Sequence, residues 1–227
     1  MTTGVYSEND TLFTMHDLVH DLARFFMVNE ILVASKQGNS GGSQGNTCHF
    51  ALLNDCSKPL ESPKIRALLF MECGKTKLHG GAFSFSKSMH VLDLSDCSIH
   101  KLLDSIGKLK QLRYLMAPRV QDETIPDSFT KQSKLIYLNL HGSHKILALP
   151  KLIGEIEGLM YLDLSDCSIG AELPESFERL KELLHLDLSN CCIQKILEAL
   201  VSFIQLKYLN LSGCRHRTEL PRLFGSL

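Results

Sequence analysis

From residue 65 onward, the hydrophobic positions of this chain recur at a nearly constant interval. Short stretches follow the frame L-x-x-L-x-L, and a small residue, most often cysteine, closes each frame three positions later. The clearest copy runs from Leu159 to Cys167. Aligned on the second leucine, the copies place this residue at Leu68, Leu92, Leu115, Leu138, Leu162, Leu186 and Leu209. The successive gaps are 24, 23, 23, 24, 24 and 23 residues, and so regular a phase indicates an internally repeated structure.

This frame and its period resemble the leucine-rich repeat. The resemblance implies an α/β solenoid, with a curved parallel sheet on the concave side and short helices or turns on the convex side. We expect about seven repeats over residues 65–227, with the leucines and the closing residue facing inward. Proline begins the convex segments at matching places, which are Pro126, Pro150, Pro174 and Pro221. One copy contains Pro118. Because proline lacks a backbone donor, we expect the sheet hydrogen bonds to break there.

Residues that alternate with the leucines should point out of the concave face, and equal positions of parallel strands stack about 4.8 Å apart. The first column contains four of the five tyrosines and reads Val91, Tyr114, Tyr137, Tyr161, His185 and Tyr208. The second column reads Asp93, Met116, Asn139, Asp163, Asp187 and Asn210. Tyrosine offers rigid apolar area with a polar tip, which suits protein recognition.

We therefore predict a protein-binding surface composed of Tyr114, Tyr137, Asn139, Tyr161, Asp163, His185, Asp187, Tyr208 and Asn210. The alternative is a structural role, in which stacked rings stabilise strand pairing and the polar row hydrates an exposed sheet. His185, Asp187 and Ser189 lie on one strand but follow the repeat and lack oxyanion donors, so we expect no enzyme activity.

Charge and cysteine usage narrow the function classes further. The net charge of −1 gives no basis for electrostatic capture of nucleic acid, and no apolar run reaches the roughly 18 residues of a membrane span. Five of the eight cysteines occupy the closing position of the frame: Cys73, Cys97, Cys167, Cys191 and Cys214. A position in the core favours free thiols over disulfides, and free thiols favour a cytoplasmic location.

Residues 1–34 have a different pattern. Apolar residues from Met15 to Phe26 recur with helical spacing and form one face. The segment Thr14-Met-His-Asp-Leu-Val-His-Asp-Leu-Ala23 resembles the Met-His-Asp motif near the end of the NB-ARC nucleotide-binding domain of plant intracellular NLR immune receptors. By this resemblance, Met15, His16 and Asp17 are the motif, and the helix belongs to the end of a winged-helix subdomain.

In that family, the motif histidine approaches the phosphates of bound ADP, so the resemblance implies a nucleotide contact for His16. The phosphate-binding loop G-x-x-x-x-G-K-[ST] is absent from the 227 residues, however. We therefore expect a fragment that binds neither ADP nor ATP and needs no cofactor. Two other interpretations stay open: His16 and His20 are spaced for one metal ion, although a third ligand is not evident, or both lie on a helix surface.

The predicted organisation has four parts. Residues 1–34 are the winged-helix remnant, 35–47 a flexible Gly/Ser linker, 48–64 a lead-in with an edge strand at 49–53, and 65–227 the repeats, truncated at the end. The resemblance implies a recognition and regulatory module of a plant immune receptor. Its partners would be proteins: a pathogen effector, a guarded host protein or an NB-ARC domain. The alternative function is a general cytosolic leucine-rich repeat scaffold outside immunity.

Overall fold

The computed structural model describes residues 31–34, 50–53, 64–70, 73, 77–78, 83, 86–170, 172–193 and 200–214. Across this part of the chain, nine short strands form one parallel sheet in chain order. They are β1 Ile31–Ala34, β2 Phe50–Leu53, β3 Ala67–Phe70, β4 Val91–Asp93, β5 Tyr114–Met116, β6 Tyr137–Asn139, β7 Tyr161–Asp163, β8 His185–Asp187 and β9 Tyr208–Asn210.

The register of the sheet follows the leucine frame. From β3 to β9, the second leucine of each copy pairs with the second leucine of the next, as in Leu138 with Leu162 and Leu162 with Leu186. This confirms the predicted solenoid and its phase over seven strands. Each repeat contributes one strand of three or four residues and then returns through a longer segment on the other side.

The sheet extends beyond the first repeat. Phe50–Leu53 forms β2 and pairs with β3, so a strand exists where the lead-in strand was expected. It is not the edge of the sheet, because Ile31–Ala34 pairs with it in parallel on its outer side. The prediction of an edge strand at this place is therefore wrong: an open strand edge can accept another strand, and β1 occupies it. The predicted helix from Met15 to Phe26 lies outside the described residues.

The core lies behind the sheet. The framework leucines, among them Leu115, Leu162 and Leu186, are fully buried. Burial of each such side chain contributes roughly 1.5–3 kcal/mol relative to exposure, which makes the stack of neighbouring repeats the main source of stability.

The closing cysteines also face inward, as expected. Cys73, Cys97, Cys167 and Cys191 are buried thiols, and Cys214 is a half-buried thiol. Three of these thiols donate to a backbone oxygen of the preceding repeat, at 3.3 Å for Cys167 to Leu140, 3.0 Å for Cys191 to Leu164 and 2.8 Å for Cys214 to Leu188. Burial raises the pKa of the Cys167 and Cys191 thiols to about 12, so both stay protonated donors at neutral pH.

The convex segments of four repeats contain short 3₁₀ helices. These are Ile106–Lys108, Asp127–Lys131, Ile153–Glu155 and Glu175–Arg179. Pro126 and Pro174 directly precede two of them, where a missing N–H costs nothing. Adjacent segments approach closely, since a Cβ atom on Gly154 would clash with the backbone oxygen of Ser176. The repeats are thus packed tightly on both sides of the core.

The sheet is not interrupted at Pro118, and that prediction is wrong. The N–H of Ala117 donates to Asn139 O at 2.9 Å, and the N–H of Arg119 donates to His141 O at 2.8 Å. In other repeats, the N–H at the proline position bonds to a side chain within its own repeat, as in Ser165 N to Asp163 Oδ1 at 2.9 Å. Proline therefore occupies a position whose donor the sheet does not use.

Candidate functional site

An aromatic ladder crosses the concave face. It comprises Tyr114, Tyr137, Tyr161, His185 and Tyr208, which occupy the first residue of strands β5 to β9. Three neighbouring pairs are stacked, with ring centroids 4.2 Å apart for Tyr137 and Tyr161 and 4.1 Å apart for Tyr161 and His185 and for His185 and Tyr208. Tyr114 and Tyr137 are 6.0 Å apart and tilted by 33°. The sequence prediction of a continuous ring column is confirmed.

The stacking decides which parts of the rings remain available. Faces inside the stack cover one another, so a partner meets ring edges and polar tips, together with the outer faces of the terminal rings. The first four rings are half-buried, and Tyr208 is 45% exposed. The ladder is thus a rigid strip with little side-chain entropy left to lose on binding.

Burial disfavours the charged forms of Tyr114, Tyr137, Tyr161 and His185 in the ladder. Burial lowers the pKa of His185, an effect that the nearby Asp187 carboxylate partly offsets. Burial also raises the pKa of Tyr161, and the neighbouring Tyr137 and Asp163 raise it further. The His185 imidazole is therefore mostly neutral and the Tyr161 phenol is protonated at neutral pH, so these two rings offer apolar contact and hydrogen bonds without charge.

The second predicted column forms a hydrogen-bonded row beside the ladder. The amide of Asn139 donates to Asp163 Oδ2 at 3.1 Å, and the amide of Asn210 donates to Asp187 Oδ2 at 3.0 Å. Asn139 and Asp163 are only 4% and 3% exposed, and Asp187 and Asn210 are half-buried. The row is therefore largely covered, and the ladder provides most of the accessible surface among the nine predicted residues.

The other carboxylate oxygen of each aspartate closes a turn. Asp163 Oδ1 accepts the N–H of Ser165 at 2.9 Å and its hydroxyl at 2.5 Å, and Asp187 Oδ1 accepts the same two groups of Ser189 at 2.9 and 2.7 Å. Burial raises the pKa of Asp163, and the Asp187 charge adds to this, whereas the hydrogen bonds from Ser165 lower it. These oxygens are occupied within the repeat.

His185, Asp187 and Ser189 do not have the arrangement of a catalytic triad. The Ser189 hydroxyl donates to the carboxylate, whereas in a triad it would donate to the histidine. The imidazole of His185 is instead stacked between Tyr161 and Tyr208. Within the described ranges, three or more His, Cys, Asp and Glu side chains nowhere converge as they would around a metal ion. Met15, His16 and Asp17 lie outside those ranges.

One solvent-facing column was not predicted from the sequence. The residue directly before each strand, from β3 to β9, is Arg66, His90, Arg113, Ile136, Met160, Leu184 or Lys207. Arg113 and Lys207 are exposed, Met160 is 37% exposed, and Ile136 and Leu184 are half-buried. The change from basic to apolar residues within one repeat position was visible in the sequence, but the frame does not show that this position faces solvent.

Comparison with known proteins supports the repeat assignment. Family models described as "Leucine rich repeat" match residues 157–215 and, in a second model, residues 88–109 and 205–227. The chain contains leucine-rich repeats. No helix in the part of the chain that the structure describes has both the length and the apolar character needed to cross a membrane.

The chain is homologous over part of its length to disease resistance proteins of Arabidopsis thaliana. The chain is 36% identical over 98 residues to the probable disease resistance proteins RF45 and RDL5, which covers 42% of this chain and 10% of each relative. It is 28% identical over 168 residues to the probable disease resistance protein RXW24L, which covers 65% of this chain and 19% of that relative. The chain therefore spans only a tenth to a fifth of the length of these relatives.

Solved structures show the same fold at low sequence identity. The ectodomain of the Arabidopsis thaliana receptor kinase GASSHO1/SCHENGEN3, solved with CASPARIAN STRIP INTEGRITY FACTOR 2, aligns with a TM-score of 0.61 and 24% identity over 73% of this chain and 20% of its own. The leucine-rich repeat domain of the type III effector XopL aligns with a TM-score of 0.61 and 20% identity over 76% of this chain and 64% of its own. These similarities establish the solenoid fold.

Proposed function

We propose that this chain is a recognition and regulatory module of an NLR-type plant disease resistance protein, and that its aromatic ladder binds a protein partner. The observation that carries the proposal is the ladder itself, on repeats homologous to disease resistance proteins. Rigid tyrosine rings with free edges and polar tips offer a large contact area at a low entropy cost.

The assignment of this chain to an NLR-type receptor depends on the N-terminal segment. The Met-His-Asp resemblance at Met15, His16 and Asp17 supports a place directly after an NB-ARC domain. The predicted winged-helix end at 1–34 must stop before Ile31, because Ile31–Ala34 is strand β1 of the repeat sheet, and the predicted linker 35–47 then joins β1 to the lead-in 48–64. A cytoplasmic location follows from that assignment. The proposed partners are a pathogen effector, a guarded host protein or an NB-ARC domain, and no nucleotide is required by this chain alone.

Photo-crosslinking in plant tissue tests the proposal at the ladder. The full chain carries p-benzoylphenylalanine in place of Tyr161, which keeps an aromatic ring near the native position. A matched chain carries the same group in place of Glu178, which is exposed on a convex 3₁₀ helix. We expect protein adducts from position 161 that are absent from position 178, and identification of these adducts by mass spectrometry distinguishes immune partners from others.

Two outcomes contradict the proposal. Equal adducts from both positions would show that the concave face is not selective, and the absence of adducts at position 161 would leave the ladder with only the structural role of strand stabilisation. Adducts confined to housekeeping proteins would instead favour the general scaffold. As a second measurement, Tyr161→Ala should weaken binding of an identified partner and leave the circular dichroism spectrum unchanged, since the ring is not part of the core.

A further inference from the structure

A basic column runs along the flank of the sheet, at the residue before each of three consecutive strands. It consists of Arg66, His90 and Arg113, and the pairing of Ala67 with Val91 and of Val91 with Tyr114 aligns the three positions. Equal positions of neighbouring repeats lie about 4.8 Å apart. Three side chains that carry or can accept positive charge are therefore held side by side, with Lys134 close by in the next repeat.

The charge of this column is not neutralised within the described part of the chain. The ion pairs found there join His141 to Asp166 and Arg179 to Glu155, and none includes a member of the column or Lys134. Burial lowers the pKa of His90, and the positive charges of Arg113, Arg66 and Lys134 lower it further. Like charges so close repel one another, and a bound anionic group would relieve that repulsion.

An apolar groove continues the column into the next repeats. Its volume is about 440 Å³, and its lining consists of Arg113, Ser133, Lys134, Ile136, Gly158, Met160 and Glu182. Of these lining residues, Ile136 and Met160 occupy the same repeat position as the basic residues. Two cations thus flank one end of an apolar groove, and one carboxylate lies at the other end.

We propose that this flank binds an acidic peptide segment of a protein partner, with carboxylates over Arg66, His90 and Arg113 and an apolar side chain in the groove over Ile136 and Met160. Glu182 repels acidic residues at the far end, so the acidic part of the segment lies over the basic column and its apolar part over the groove. Arginine forms bidentate hydrogen bonds with a carboxylate, which gives the contact geometry as well as charge. This surface is separate from the aromatic ladder, and the proposal does not depend on the ladder's function.

A peptide fits this surface better than a nucleic acid does. The whole chain has a net charge of −1, so it has no extended positive field to attract a polyanion. The lining of the groove includes no aromatic side chain, whereas the bases of a single strand need aromatic side chains for stacking. The surface combines a short run of positive charge with an apolar groove beside it, which matches a short acidic run followed by apolar residues.

Fluorescence anisotropy with the full chain tests the proposal. The probe is a fluorescein-labelled ten-residue peptide in which five glutamates are followed by alternating leucine and serine, and the comparison peptide has glutamine at every glutamate. We expect only the acidic peptide to bind, with an affinity that falls as salt rises. Arg113→Ala, an exposed position, should weaken binding by about tenfold, which corresponds to about 1.4 kcal/mol.

Two controls isolate the surface. Lys207→Ala removes a cation from the same repeat position four strands along, before β9, and should change the affinity less than about twofold. Tyr161→Ala should leave peptide binding intact even if it abolishes binding at the ladder, so the two proposals can fail separately. Equal binding of the glutamine peptide, no effect of Arg113→Ala, or tighter binding of a ten-nucleotide oligouridine than of the acidic peptide would each overturn this inference.

Discussion

Two repeats of this protein have the same backbone but different hydrogen bonding at the end of the strand. In Leu159–Cys167, Asp163 accepts the N–H of Ser165, and the next residue, Asp166, has a φ of 55°. In Leu112–Val120, the corresponding residues are Met116 and Pro118, which have neither the acceptor nor the donor, yet Arg119 has a φ of 58°.

This turn does not require a particular side chain. It requires only that a backbone N–H at the strand end, where one is present, has a side-chain acceptor. A buried N–H without an acceptor is costly, so a repeat can keep both groups or dispense with both. Gly142, with a φ of 68°, shows the same left-handed conformation in a third repeat. The turn is therefore imposed by stacking on the neighbouring repeats, and the local side chains only have to be compatible with it.

The largest effect is expected when the buried leucine that both repeats share is replaced by a charged residue. Leu162→Asp places a charge without a partner in the core, because Leu162 is fully buried. Leu115→Asp does the same in the other repeat. Each should lower the free energy of unfolding by more than about 4 kcal/mol and unfold the chain, as measured by circular dichroism and urea titration. A folded Leu115→Asp chain would show that the irregular repeat contributes little to the stack.

The next largest effect is expected from substitutions that compare the residue at the strand end in the two repeats. Asp163→Ala leaves the Ser165 N–H and the amide of Asn139 without their acceptor in a buried place, and should cost about 2 kcal/mol of unfolding free energy. Met116→Ala removes a half-buried side chain that closes no turn, and should cost about 1 kcal/mol or less. Urea titration of both variants checks the order, and equal losses would mean that the aspartate bond does not stabilise the turn.

A double-mutant cycle tests whether donor and acceptor are needed together. Pro118→Ser adds an N–H that has no acceptor while Met116 is present, and should be destabilising. Met116→Asp adds a carboxylate that Pro118 cannot satisfy. The double variant restores the pair found in Leu159–Cys167, so the two changes should couple favourably by about 1 kcal/mol. Additive losses would show that the donor and the acceptor are not needed together.

The smallest effect concerns pH. The pKa of Asp163 is raised in the folded protein, mainly by burial, so the folded state binds a proton at a pH at which the unfolded carboxyl is still ionised. Above the pKa of Asp163 in the folded protein, the cost of burying the ionised carboxylate therefore lowers the free energy of unfolding by its full amount. This penalty decreases as pH falls toward the ordinary value of 3.8.

Asparagine does not titrate, so wild type should gain stability relative to Asp163→Asn as pH falls from 7 to 4. Urea midpoints at several pH values measure the difference. Asn139 and Asn210 occupy the same repeat position, so asparagine fits this backbone. Parallel curves for the two proteins would argue against the raised pKa.

The repeat frame predicted the register of seven strands and the ring column from Tyr114 to Tyr208, because a fixed period leaves one way to stack identical strands. The pattern could not predict how deeply each polar residue is covered. Asp163 and Tyr161 are close in sequence and both point to the concave side, yet one is 3% exposed and the other half-buried. The pairing of Ile31–Ala34 with β2 was also missed, since that strand carries no copy of the frame.

By itself, the sequence determined which leucines build the core and which residues form the aromatic ladder, because leucine spacing is read directly as strand phase. Only the tertiary structure decided that the ring faces of the ladder close on one another, that the aspartate oxygens are occupied in turns, and that Arg66, His90 and Arg113 meet an apolar groove. These properties depend on distances between residues of different repeats, and a linear pattern specifies order along the chain without fixing those distances.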